Sequence, residues 1–381
     1  MNGAPLRILL LAPAGSAHTR RWADDLAMRG HTVTVCSWHD PGLRAADWQT
    51  VAAPGVGTYW PWRAMRAVGW LRREVRRACP DVIHVHSLGV HGALSLALPD
   101  RAAPRLITPW GSELRAADRH PGRALVARLA LRQAAQVVPT SREMAARVAD
   151  RYGVPRSRIT VLSWGVPDAL LDAGGDGGPR LTRARYGIPA GATVLLSVRS
   201  TSLVYRTHEI LAAFTHAARN RPDLFLVILA GHQPTNTAAR DAQRDYLALL
   251  RHRALELAGQ ILVIEQPLSH VEMFGLMRVS ELAISVPRAD QRSSSVLEAA
   301  AAGCRLLLSD IAPYRELVAD GLQAHLLPDP LGTTLARALT HAAPLTTPVR
   351  LANQQLISRT ERSSTKLAQL EQLYQSLAQG R

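Results

Sequence analysis

Short apolar runs alternate with stretches of helical periodicity along nearly the whole of this 381-residue chain. A short run that is apolar throughout reads as a strand buried on both faces, and strands separated by helices build parallel sheets from βαβ units. The first half predicts strands at 7–12, 32–37, 82–86, 106–109, 136–139 and 159–162. A second set follows at 193–198, 224–230, 261–265, 282–286 and 306–309. Residues 20–29 carry Trp22 and Leu26 at helical spacing, with Gly30 placed as a C-cap. Near the end, Leu367, Leu370, Tyr374 and Leu377 recur at intervals of three and four, the apolar stripe of a terminal helix.

The class is therefore α/β, in two Rossmann-like halves, and the length exceeds the usual ceiling for one hydrophobic core. The most linker-like stretch is 172–179, rich in glycine. We expect a first domain over 1–168, a second over 169–350, and a helical segment over 351–381 that packs back toward the first. Ligands of open α/β sheets bind beyond the carboxyl ends of the strands, where the strand order reverses. With two such sheets, the expected site is the cleft between them.

Composition narrows the function classes. Hydrophobic residues at 47% and charged residues at 20% leave little room for extended disorder. Cys36, Cys79 and Cys304 are odd in number and lack metal-ligand spacing, so neither a disulfide framework nor a zinc site is indicated. The run at 8–12 is shorter than the ~7 to 15 residues of a secretory signal's apolar core, and no stretch approaches the ~18 apolar residues of a membrane span. A cytoplasmic location is the expectation. The net charge is +15, of which +11 falls in residues 1–168, and a positive surface favours anionic headgroups, polyphosphates or nucleic acid. No nucleic-acid recognition motif accompanies that charge, and no Gly-x-Gly-x-x-Gly of a dinucleotide site follows any strand.

The chemistry concentrates in residues 282–310, which read as a strand, a polar loop, a helix of small residues and another strand. Asp290 lies in the loop and Glu298 inside the helix, spaced to hold separate hydroxyl groups of an extended ligand. Ser293, Ser294 and Ser295 stand at the helix N-terminus, where unpaired amides and hydroxyls suit a phosphate. Leu297 adjoins them. Gly15 and Ser16 follow the first strand in a small-residue turn that lets backbone amides approach a diphosphate.

Framed by the later Tyr314-Arg-Glu316-Leu-Val, this constellation resembles glycosyltransferase family 4, a retaining family with the GT-B fold, over nearly the whole chain. The resemblance implies that Glu298 binds the donor's ribose hydroxyls, that Asp290 meets the transferred sugar, and that the serines lie near the diphosphate. It implies a neutralising role for Arg199, after the first strand of the second half. Asp81-Val-Ile-His84-Val-His86 resembles the family's strand on the acceptor side; His84 reads as a core residue, and for His86 core and site readings both stand. Gly165 matches the family's turn at the crossing between domains.

Departures matter equally. Tyr205 falls where many members place a lysine; it offers a hydrogen bond but no charge, so Arg199 carries more of the leaving-group stabilisation and Arg206 is the candidate to supply the missing charge. Trp110 stands where a histidine is common and cannot accept a proton, which leaves catalytic roles for His86 and Glu113 as hypotheses. The implied reaction is front-face, retaining transfer from a UDP- or GDP-sugar to a hydroxyl-bearing acceptor. The donor is a co-substrate, and no further cofactor or metal is expected, in keeping with the absence of any Asp-x-Asp element.

The segment 60–77 mixes Trp60, Trp62 and Trp70 with six arginines on an amphipathic helix. Two readings stand: peripheral contact with an anionic membrane, or packing of Ala64, Ala67, Val68, Leu71 and Val75 on the first sheet with the arginines in water. Rival functions are a nucleotide-sugar epimerase or hydrolase, told apart by sugar released without acceptor, and a non-catalytic sugar-nucleotide binder, told apart by binding without turnover.

Overall fold

The computed structural model describes residues 4–39, 47–53, 60–99, 102–172, 178–231, 237–257, 259–343 and 345–380. The chain divides into two compact units, Met1–Trp164 with Ser364–Arg381, and Gly165–Ser363. The division falls at residue 164/165, ahead of the glycine-rich stretch, whose residues 173–177 lie outside the described ones. The expected terminal segment is split, since the helix Thr347–Thr360 stays with the second unit and residues 364–381 join the first.

The first unit is built on β1 (Arg7–Leu11), β2 (Thr32–Ser37), β3 (Gln49–Ala52), β4 (Val82–His86), β5 (Arg105–Thr108) and β6 (Gln136–Val137), all parallel, in the order β3-β2-β1-β4-β5-β6. The second is built on β7 (Thr193–Ser197), β8 (Leu224–Leu229), β9 (Ile261–Ile264), β10 (Leu282–Ser285), β11 (Arg305–Ser309) and β12 (His325–Leu327). Its order, β12-β11-β10-β7-β8-β9, repeats the first in mirror listing. Both are the Rossmann order, and in each the strand order reverses between the first and fourth strands, β1/β4 and β7/β10, which is where such sheets take ligands.

The central strands match the apolar runs because both their faces are covered; β8, Leu-Phe-Leu-Val-Ile-Leu, is buried at every position. Two edge strands escape the pattern. β3 is mostly half-exposed and β12 has three residues, so neither needs a continuous apolar run. The expected strand at 159–162 reduces to one bridge, Ile159 to Val137. The terminal helix buries Leu367, Leu370 and Tyr374 in the first unit's core, as its stripe requires.

In the helix Trp60–Ala78, the apolar face is spent on packing: Ala67, Trp70, Leu71 and Val75 are buried in the first core. Arg66, Arg72, Arg73, Arg76 and Arg77 are exposed, and the side chains of Trp60, Trp62 and Ala64 lie outside the described residues. Among the described residues no helix is long and apolar enough to cross a membrane.

Gly165 explains how the second unit closes on itself. Its φ of 72° is left-handed, and a Cβ there would lie 2.8 Å from Ser363 Cα. The adjacent Val166 amide donates to Glu361 O at 2.6 Å, and the Ser363 amide returns to Val166 O at 2.9 Å. Only glycine admits that approach.

Candidate functional site

In the second unit, the loops after β7 and β10 meet at the switch point around one side chain, Arg199. Its Nη1 donates to Ser293 Oγ at 2.6 Å and its Nη2 to Tyr205 Oη at 2.9 Å, and its guanidinium lies over the Tyr205 ring, 4.5 Å from the centroid. The Asp290 carboxylate completes an ion pair at 3.3 Å. Burial works against the Arg199 charge, yet Asp290, then Tyr205 and Tyr314, hold its pKa above the ordinary value. A cation fixed from three sides is pre-organised to meet an anion.

Ser293 is the N-cap of the helix Ser294–Ala302, and its hydroxyl does not cap that helix. It is turned to Arg199 instead. The first amides of the helix therefore lack their usual side-chain acceptor, beside half-buried Ser294 and Ser295. Glu298, one turn further, is 7% exposed. Leu297 is a correction: its side chain is fully within the apolar core and offers a ligand nothing.

Arg206 is a second correction. It was expected to add charge near the diphosphate, but its guanidinium is buried between Glu209, at 2.7 and 2.8 Å, and Asp329, at 2.8 Å. Two carboxylates already neutralise it. Its left-handed φ of 56° ends the turn Leu203–Tyr205, so these ion pairs anchor the loop that carries Tyr205.

In the first unit, Gly15 is exposed in the turn after β1 and Ser16 is the N-cap of the helix Ala17–Met28, again without a side-chain cap bond. Beyond β4 and β5 an aromatic cluster forms. His86 packs against Trp22, Trp110 and Trp164 at centroid distances of 5.6, 6.3 and 5.5 Å, and His18 stacks on Trp164 at 4.7 Å. His84, as expected of a core residue, is buried between Tyr374 Oη at 2.6 Å and Thr108 Oγ1 at 2.8 Å.

His86 is fully buried too, with Nδ1 on Thr19 Oγ1 at 3.2 Å and Nε2 lacking a hydrogen-bond partner. Burial, then the neighbouring His91 and His18, push its pKa down to about 3. It is a neutral imidazole near neutral pH. Glu113 does not stand as a free base either. Its Oε1 accepts the amides of Trp110 at 2.6 Å and Leu88 at 3.1 Å, so it ties the loop after β5 to the loop after β4.

No sequence signal marks Asp329 as a partner of Arg206, nor shows that the fully buried Tyr314 hydroxyl bonds Asp290; these partners are joined by the fold.

Residues 15–170 match the family model described as Glycosyltransferase Family 4. Among curated proteins, sequence comparison finds no match. Solved structures of similar fold include sucrose-phosphate synthase from Thermosynechococcus elongatus, with 17% identity, TM-score 0.79, and coverage of 98% of this chain and 99% of that one. Anabaena HepE in complex with UDP-glucose has 17% identity, TM-score 0.76, and coverage of 98% and 100%. A glycosyltransferase from Rickettsia africae has 15% identity, TM-score 0.73, and coverage of 97% and 98%. Residues 15–170 are thus similar to Glycosyltransferase Family 4, in a chain that carries the two-unit GT-B fold of these structures.

Proposed function

We propose that this protein is a retaining hexosyltransferase that moves a sugar from a UDP- or GDP-sugar to a hydroxyl of a glycan, glycolipid or small-molecule acceptor. The observation that carries the reading is the Arg199 fork, held by Ser293, Tyr205 and Asp290 at the β7/β10 switch point, beside a helix N-terminus whose capping hydroxyl it has taken. HepE was solved with UDP-glucose, and the shared fold makes that donor class the first to try.

In this reading the diphosphate lies against Arg199 and the first amides of the helix Ser294–Ala302, with Ser294 and Ser295 beside it. Glu298 takes the ribose hydroxyls and Asp290 the transferred sugar. Negative charge grows on the diphosphate as the glycosidic bond breaks, and a pre-placed guanidinium stabilises it without reorganisation. Because that charge is met by Arg199 and backbone dipoles, no divalent cation is required. The departing phosphate oxygen takes the acceptor's proton on the same face. A protein base is then unnecessary, in keeping with a neutral, buried His86 and a Glu113 carboxylate already committed to two amides.

A thermal-shift panel of UDP-glucose, GDP-mannose and the parent diphosphates tests donor binding, since a ligand of the native state raises the melting temperature. Incubation with and without acceptors then separates glycoside formation from sugar release. Failure of every nucleotide to shift the transition ends the proposal. The exposed arginines of the helix Trp60–Ala78 support peripheral contact with an anionic membrane from the cytoplasmic side, and equal flotation with neutral and anionic vesicles would end that part of it.

A further inference from the structure

Tyr314 occupies a place that none of the roles above uses. It is the third residue of the helix Ala312–Ala319 after β11, fully buried, and its hydroxyl touches two groups: Ser285 Oγ at the end of β10, 2.7 Å away, and Asp290 Oδ2 at 2.8 Å. A carboxylate only accepts, and a tyrosine has one proton to give. The direction of the chain is therefore fixed. Ser285 donates to Tyr314, and Tyr314 donates to Asp290.

The same carboxylate is held on its other side. Asp290 Oδ1 accepts its neighbour's amide, Gln291 N, at 2.9 Å, and Arg199 Nη2 reaches both carboxylate oxygens, Oδ1 at 3.4 Å and Oδ2 at 3.3 Å. The Tyr314 hydroxyl is the neutral donor on Oδ2, and without it that oxygen would be oriented by the guanidinium. Burial, with Asp290 next, raises the Tyr314 pKa well above the ordinary value, so the phenol keeps the proton it donates.

We infer that Tyr314 is a positioning residue, which fixes the orientation of the Asp290 carboxylate that Arg199 also binds, so that the acid can face the transferred sugar while the arginine faces the diphosphate. The inference rests on the proposed donor site. It makes a demand that the site alone does not: the hydroxyl of Tyr314 acts on the sugar half of the donor, through Asp290, and hardly on the nucleotide half.

The experiment compares UDP with UDP-glucose, and GDP with GDP-mannose, by titration calorimetry on the full chain. Tyr314→Phe keeps the ring and removes the hydroxyl. Affinity for the nucleotide sugar should fall about tenfold while affinity for the matching diphosphate changes by less than about twofold, the scale expected for one hydrogen bond to a charged group. In an Asp290→Asn background, Tyr314→Phe should have no further effect on that ratio, because its target is gone. Ser285→Ala, which leaves the phenol in place but frees its orientation, should give a smaller loss of the same kind and serves if Tyr314→Phe folds poorly. Equal losses for diphosphate and sugar nucleotide, or losses additive with Asp290→Asn, would show a purely structural tyrosine and overturn the inference while the donor site stands. Wild-type protein that binds neither pair would overturn the donor site and the inference together.

Discussion

Arg199 and Ser293, 94 residues apart, share a hydrogen bond of 2.6 Å that takes the hydroxyl of a helix N-cap away from its own helix. One contact thus does two things. It fixes a guanidinium in place, and it leaves the first turn of the helix Ser294–Ala302 in need of an acceptor.

Arg199→Lys should weaken UDP-glucose binding about tenfold, and Arg199→Ala by about a hundredfold, because an ammonium cannot reproduce a fork that reaches Ser293, Tyr205 and Asp290 together. Calorimetric titration measures both. Equal affinities in wild type and Arg199→Ala would remove the arginine from the site.

Arg206→Ala should behave in the opposite way. Removing a buried cation leaves Glu209 and Asp329 facing each other without their shared partner, and breaking such pairs costs roughly 3 kcal/mol, less where a carboxylate reaches solvent, as Asp329 does. Stability measured by calorimetric melting should drop, whereas the folded fraction should bind UDP-glucose within about twofold of wild type. A large affinity loss at unchanged stability would restore Arg206 to the diphosphate.

Gly165→Ala should destabilise the second unit by about 2 kcal/mol, since it combines a left-handed backbone with a Cβ placed 2.8 Å from Ser363 Cα. The second unit holds no tryptophan, so calorimetry rather than indole fluorescence is the measurement. An unchanged melting profile would mean the 165/363 contact is looser than described.

Acid should weaken the first unit. His86 and His91, ordinarily near 6.5, are pushed by burial down to about 3 and about 4, and burial also lowers His84. The unfolded chain binds protons below pH 6.5 that the folded chain refuses, so stability is intact above that pH and declines as pH falls toward 4. Each such histidine contributes a slope of about 1.4 kcal/mol per pH unit across that window. All eight tryptophans lie in the first unit, so denaturant titration followed by indole fluorescence reads it alone. His86→Asn should reduce the slope, and a flat profile from pH 6.5 to 4 would contradict the buried neutral cluster.

Legibility followed burial. Runs such as Leu224–Leu229 were plain in the sequence because a strand covered on both faces has no polar position to spare. Gln49–Ala52 and His325–Leu327 were not, because edge strands do. Asp290, Ser293 and Glu298 could be named together since one loop and one helix carry them within nine residues. The error at Arg206 had the converse cause: one of its two partners, Asp329, is 123 residues away, so no local pattern announces that its charge is taken.

The sequence alone determined two sheets and their strand–helix alternation, and it named the loop that holds Asp290 and Ser293, since periodicity and local spacing act over a few residues at a time. Tertiary structure alone decided which charges remain available. Arg199 meets Ser293 and Asp290, Arg206 is quenched, Glu113 is spent on two amides and His86 is sealed among indoles, because desolvation and pairing depend on neighbours that strand order brings together from distant parts of the chain.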